Sequence, residues 1–86
     1  MQAKRTLTYH LDPKHGWVAV PKAIYNSVPY RAGKYSFQSD ETVFLEEEID
    51  FPAFNALAKE QGHDFELYKK SYTEDCFVRF LERVGK

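Results

Sequence analysis

Hydrophobic residues in this chain alternate with polar ones in some stretches and recur at helical spacing in others. From Arg5 to Leu11, Leu7, Tyr9 and Leu11 fall on one side, and Thr6, Thr8 and His10 on the other. Alternation at period two marks a half-buried strand. Asp12-Pro13-Lys14-His15-Gly16 follows, with Pro13 suited to a right-handed turn entry and Gly16 to a left-handed exit. A four-residue loop, Pro13 to Gly16, pairs Asp12 with Trp17, Leu11 with Val18 and His10 with Ala19. Leu7, Tyr9, Leu11, Val18 and Val20 then share the core face. His10 and Trp17 become diagonal neighbours on the reverse.

A second hairpin lies at the centre of the chain. Tyr35 and Phe37 alternate with Ser36 and Gln38, and Val43 and Leu45 with Thr42, Phe44 and Glu46. A two-residue turn sets Phe37 opposite Thr42 and divides the apolar residues between two faces. A three-residue loop, Ser39-Asp40-Glu41, sets Phe37 opposite Val43 and Tyr35 opposite Leu45. Register follows the buried set, so the three-residue loop is expected. No glycine supplies the left-handed position that such a loop favours.

Helical spacing fills the gaps between hairpins. Pro21 opens a short helix to about Val28, with Ile24 and Val28 one turn apart, and Pro29 stops it. Asp50 is placed to cap a second helix, with Pro52 in its first turn. Phe51, Phe54, Leu57 and Ala58 form its buried stripe, and Gly62 its stop. Phe65 and Leu67 alternate with Glu66 and Tyr68, predicting a fifth strand to about Tyr72. Thr73, Glu74 and Asp75 then predict a helix start, and Phe77, Phe80, Leu81 and Val84 an apolar helix face. Arg79 and Arg83 fall on its outer side, with Gly85 closing it. The expected architecture is a single α+β domain of order ββαββαβα, with a mostly antiparallel sheet.

Composition narrows the class further. The chain has 86 residues, enough for one small core. Its 43% hydrophobic and 29% charged residues exclude a disordered chain. A net charge of −1 argues against electrostatic capture of nucleic acid. The lone Cys76 allows no disulfide within the chain and fits a reducing, cytoplasmic setting. The N-terminal MQAKRTLTYHL has no apolar signal region, and no run is long enough to cross a membrane.

HGWVAVP at residues 15–21, YSF at 35–37, and VFLEEEID with a Phe in the next helix at 43–54 carry a family likeness. They resemble a family of small uncharacterised proteins encoded by bacterial plasmids, phages and other mobile elements. The likeness covers residues 15 to 58. The chain departs from it in having Phe44 where tyrosine is common, and in the run Glu46-Glu47-Glu48-Ile49-Asp50. The resemblance implies a bacterial mobile-gene setting, such as an integron cassette or prophage. It implies no activity.

Three groupings bear on chemistry. Glu46, Glu48 and Asp50 form an acidic corner whose oxygen ligands would suit magnesium or calcium, but the Asp/Asn/Gly spacing of a calcium loop is absent. His10 and His15 flank a turn near Trp17, and a base or transition-metal site would need a third ligand that no neighbour supplies. Tyr68, Lys69, Lys70 and Tyr72 make a basic-aromatic strand on which single-stranded nucleic acid could stack, or an outer edge kept soluble by lysine. Cys76, beside Glu74 and Asp75, has no base partner. Phosphate-loop, serine-elbow, zinc-helix and paired-cysteine motifs are all absent.

These features predict a binding or regulatory protein rather than an enzyme, with no cofactor and no metal. The expected contact surface is His10, Trp17, Phe44, Glu46 and Glu48, facing a protein partner or a second copy. One alternative is a small-ligand or metal-assisted enzyme using His10 or His15 with Glu46 and Glu48. The other is a single-strand nucleic-acid binder through the 68–72 strand.

Overall fold

In the computed structural model, which describes residues 4–74 and 76–84, the alternating stretches form strands. They are β1 (Arg5–Leu11), β2 (Gly16–Pro21), β3 (Phe37–Gln38), β4 (Thr42–Glu46), β5 (Phe65–Ser71) and β6 (Glu82–Arg83). The helices are α1 (Lys22–Ser27) and α2 (Asp50–Glu60), with a 3₁₀ turn at Phe77–Phe80. The strands make one six-stranded sheet in the order β5-β1-β2-β4-β3-β6. Only the β1–β5 pair is parallel. The α+β class and the largely antiparallel sheet are as expected.

The first hairpin slides but does not flip. Its loop keeps four residues and begins one earlier, so Leu11 faces Gly16 and His10 faces Trp17. A slide of two positions preserves every side chain's face. Leu7, Val18 and Val20 are buried in one core, and Trp17 lies on the reverse. Gly16 has no positive φ; Gly62, at 91°, is the one glycine described that does. Gly16 is required for space instead: a Cβ there would strike the Tyr9 ring and come within 2.7 Å of Glu47 Oε2.

The central hairpin does flip. Ser39 N–H bonds to Thr42 O at 2.9 Å, Gln38 faces Val43 and Phe37 faces Phe44. The turn is two residues, Asp40-Glu41, and neither has a positive φ. Val43 and Leu45 therefore belong to the first core, while Phe37 and Phe44 belong to a second. Tyr35 joins neither and is 55% exposed. The expected three-residue loop assumed a single buried face. Both faces of this sheet are covered.

The first core is sealed by α2, whose Phe51, Phe54 and Ala58 reach Val18, Val20, Val43 and Leu45, with Val28 and Ala32 from the α1 side. Asp50 is not the N-cap. The cap position is Ile49, and no side chain caps it. The buried Asp50 carboxylate instead gathers the preceding loop. Oδ1 accepts from Tyr30 Oη at 2.6 Å, the Gly33 N–H contacts both oxygens, and Ser36 Oγ donates to Oδ2. Gly62 ends α2 as expected.

The second core is sealed by residues 76–84 together with Tyr72, where from Thr73 on the sequence predicts a helix. Cys76 and Leu81 are extended on either side of the 3₁₀ turn, and the segment pairs as β6 against β3. Cys76 and Val78 are buried, whereas Phe77 and Phe80 are exposed, so the predicted apolar stripe does not form. A helix would turn Val78 away from the sheet. The extended arm instead inserts Cys76 and Val78 between Trp17, Phe37 and Phe44. Asp75 and Gly85, assigned to the ends of that helix, lie outside the described residues.

Candidate functional site

Asp12 fastens the arm to the sheet. It is the first residue of the loop after β1, and its side chain is buried. Oδ1 accepts from the Lys14 and His15 amides, each at 2.9 Å, which closes the turn locally. Oδ2 accepts from the Cys76 N–H at 3.0 Å. Arg79 binds both oxygens, Nε to Oδ2 at 2.6 Å and Nη2 to Oδ1 at 2.9 Å. The guanidinium holds the Asp12 carboxyl far below its ordinary range, against the opposing effect of burial.

With the arm so placed, a cleft of about 370 Å³ opens between it and the corner that follows β4. Trp17, Tyr35 and Phe37 provide its aromatic walls. The Arg79 guanidinium lies 5.2 Å from the Trp17 ring, and Arg83 lies 5.6 Å from Phe37. Arg83 also donates to Lys34 O at 3.3 Å. The indole is fixed by Nε1 donating to Tyr35 O at 3.1 Å. Glu46, Glu48, the exposed Ile49 and His15 complete its lining, with Glu46 directly across the β2–β4 ladder from Trp17. The cleft thus combines aromatic rings with carboxylates and guanidiniums.

The predicted contact residues have separate fates. Trp17 is 3% exposed, and Phe44 is also buried, so neither presents an open face. The reverse side on which they lie is covered by the arm. Trp17 still contributes one wall of the cleft, and Phe44 contributes none. His10 lies away from the cleft, with Phe44 and Phe77 meeting its ring edge to face at 5.8 and 5.2 Å. Its Nδ1 contacts Tyr72 Oη at 2.9 Å. Burial, with the Lys70 charge, lowers the His10 pKa.

The acidic corner is a structural turn with one free end. Glu46 is buried, and its Oε1 accepts the Glu48 and Ile49 amides at 3.0 and 2.7 Å. Asp50 is occupied by the loop it gathers. Glu48 alone of the three is exposed. Among the described residues, no group of three His, Cys, Asp or Glu side chains is arranged to hold a metal ion. His15 reaches the cleft with Glu46 and Glu48, but no hydrogen bond joins it to either carboxylate. Cys76 is fully buried, which raises its thiol pKa. Tyr68, Lys69 and Lys70 lie on the outer strand β5, and the Tyr72 hydroxyl is engaged with His10.

Sequence reasoning did not assign Asp12, Tyr35, Phe37, Arg79 or Arg83 to the site. For Asp12 a signal existed: aspartate before a Pro-containing turn commonly binds the following amides. The two arginines were hidden by the helical reading, which placed them on an outer face. Comparison of the chain with protein-family models, curated proteins and solved structures finds no match. The geometry of the cleft is therefore the ground for a functional reading. Among the described residues, no helix is long and apolar enough to cross a membrane.

Proposed function

We propose that this protein is a non-catalytic binding module that takes a short segment of a protein partner into the cleft. The observation that carries the reading is one cleft lined by aromatic rings, carboxylates and guanidiniums together. An apolar or aromatic side chain of the partner would lie on the exposed Tyr35 and reach the edges of Trp17 and Phe37. A basic group beside it would meet Glu48, and an acidic one Arg83. Aromatic anchors with a charged rim are the usual composition of a protein contact. The likeness to mobile-element proteins supports a regulatory role in the bacterial cytoplasm, and the buried Cys76 thiol suits a reducing compartment.

An enzymatic reading is less well supported, because general acid–base work needs a histidine and carboxylate within hydrogen-bond reach. Single-strand nucleic-acid binding is weakened by the engagement of Tyr72, which leaves Tyr68 as the free stacking ring of that strand.

Trp17 is the chain's one tryptophan, so its fluorescence reports on the cleft. Peptides selected from a random library against the folded protein should alter that emission on binding. Tyr35→Ala and Glu48→Arg, both at exposed positions, should weaken those peptides about tenfold or more with an unchanged melting temperature. Selected peptides that bind both variants as tightly as the parent would overturn the reading, as would a library yielding none.

A further inference from the structure

The two edges of the sheet are unlike. The β6 edge is two residues long and offers almost no ladder. The β5 edge is seven residues long, and every residue after Phe65 is exposed. Leu67 is 43% and Tyr68 63% exposed. A long, uncovered edge strand with apolar side chains is a template for another strand.

The direction of β5's backbone groups follows from its pairing with β1. Arg5 N–H donates to Asp64 O, and Tyr72 N–H to Leu11 O. Asp64 and Tyr72 thus turn their peptide groups toward β1, and so do the alternate residues Glu66, Tyr68 and Lys70. Phe65, Leu67, Lys69 and Ser71 turn theirs outward.

We infer that this edge pairs with β5 of a second copy, antiparallel, about a two-fold axis at Tyr68. In that register Leu67 faces the partner's Lys69 and Phe65 faces the partner's Ser71. These are the residues with outward peptide groups, so each pair exchanges both of its hydrogen bonds. Glu66 faces the partner's Lys70, and the symmetry supplies the pair twice. The two Tyr68 rings meet at the axis. Glu66, Tyr68 and Lys70 occupy the non-hydrogen-bonded positions, where side chains approach most closely.

Charge and strand length together select this register over its neighbours. Sliding two residues in one direction places Lys69 opposite Lys69. Sliding the other way sets Leu67 opposite Leu67 and Asp64 opposite Lys70 but pairs only residues 65–69 of the strand instead of all seven. Parallel pairing in register would stack lysine on lysine. The lysines that guard the edge against indiscriminate pairing therefore favour this one arrangement. The interface lies across the sheet from the cleft and shares no residue with it.

The test is analytical ultracentrifugation of the full chain with charge-swapped variants, their folding checked by circular dichroism. The parent should dimerise. Glu66→Lys and Lys70→Glu should each weaken the dimer about tenfold, by replacing two attractive pairs with two repulsive ones. The double variant, Glu66→Lys with Lys70→Glu, should restore it. Hydrogen exchange should show protection of the Leu67 and Lys69 amides that grows with protein concentration. A parent that stays monomeric overturns the inference, as does a dimer indifferent to both reversals. Protection of those amides only when a different protein is added would assign the edge to a foreign strand instead. None of these outcomes bears on peptide capture at Tyr35 and Glu48.

Discussion

The two faces of the sheet are sealed by different means. On one, α2 covers Val18, Val20, Val43 and Leu45 with a regular apolar stripe, and Phe54 is fully buried among aromatic neighbours. On the other, an arm without helical regularity covers Trp17, Phe37 and Phe44 and is fastened by one carboxylate, Asp12. The helical cover bonds most of its own backbone internally, and its buried carboxylate, Asp50, gathers the loop from Tyr30 to Ser36. The arm borrows its partners: Cys76 N–H from Asp12, Val84 N–H from Ser36 O, and β6 from β3. A cover held at a few points leaves gaps, and the cleft is such a gap, between the arm and the β4 corner. The difference teaches that the binding feature arises where regular structure stops.

The comparison breaks first if only one face is a true core. Phe54→Ala and Trp17→Ala should each cost about 3–5 kcal/mol in urea denaturation, because Phe54 is fully buried and Trp17 meets solvent only at the cleft. A near-neutral Trp17→Ala would mean the arm does not seal its face. Next in size, Asp12→Asn should cost about 2–3 kcal/mol by weakening the bonds to Arg79 and Cys76. Hydrogen exchange should then accelerate at Cys76, Leu81 and Val84 and stay slow in α2. Uniform acceleration would show that the two covers unfold as one.

Acid sharpens the contrast, because the titrating groups identified on the arm side are His10 and Asp12. His10 has a lowered pKa in the fold, so it favours folding above its ordinary 6.5, and that contribution declines as pH falls below it. Burial is the first cause, and the cation facing the ring is Lys70. Asp12 is also lowered, so its contribution is complete above 3.8 and declines below that. Stability against pH should therefore fall in two steps on acidification. His10→Gln should flatten the upper step and Asp12→Asn the lower, as followed by Trp17 fluorescence. The smallest effect expected is from Gly62→Ala, about 1 kcal/mol through its positive φ at the end of α2, without altering the cleft.

Much of the fold was legible in the sequence because it rests on local periodicity. The alternation in 5–11 and 65–71, the stripe Phe51, Phe54, Ala58, and the stops at Pro29 and Gly62 each report a near neighbour's environment. The central register was not legible, because neither a two- nor a three-residue turn in Ser39-Asp40-Glu41 has the glycine that would mark it. Phe37 and Phe44 belong to a second core that the alternation of one strand does not record. Residues 76–84 carry a true helical spacing that the tertiary structure overrides, since Cys76 and Val78 gain more by extending across Trp17 and Phe44. The candidate site was half legible: Trp17, Glu46 and Glu48 line the cleft, while His10 and Phe44 sit beneath the arm.

By itself, the sequence determined the elements from Arg5 to Ser71, the class, and the side of the first hairpin on which Trp17 lies. Those follow from patterns whose range is one turn or one strand. Only the tertiary structure decided that the reverse face is also a core, that the last segment is an arm, and that Arg79 meets Asp12 across the chain. Such contacts join residues far apart in sequence. Their energy depends on what the whole sheet leaves uncovered, and no local spacing records it.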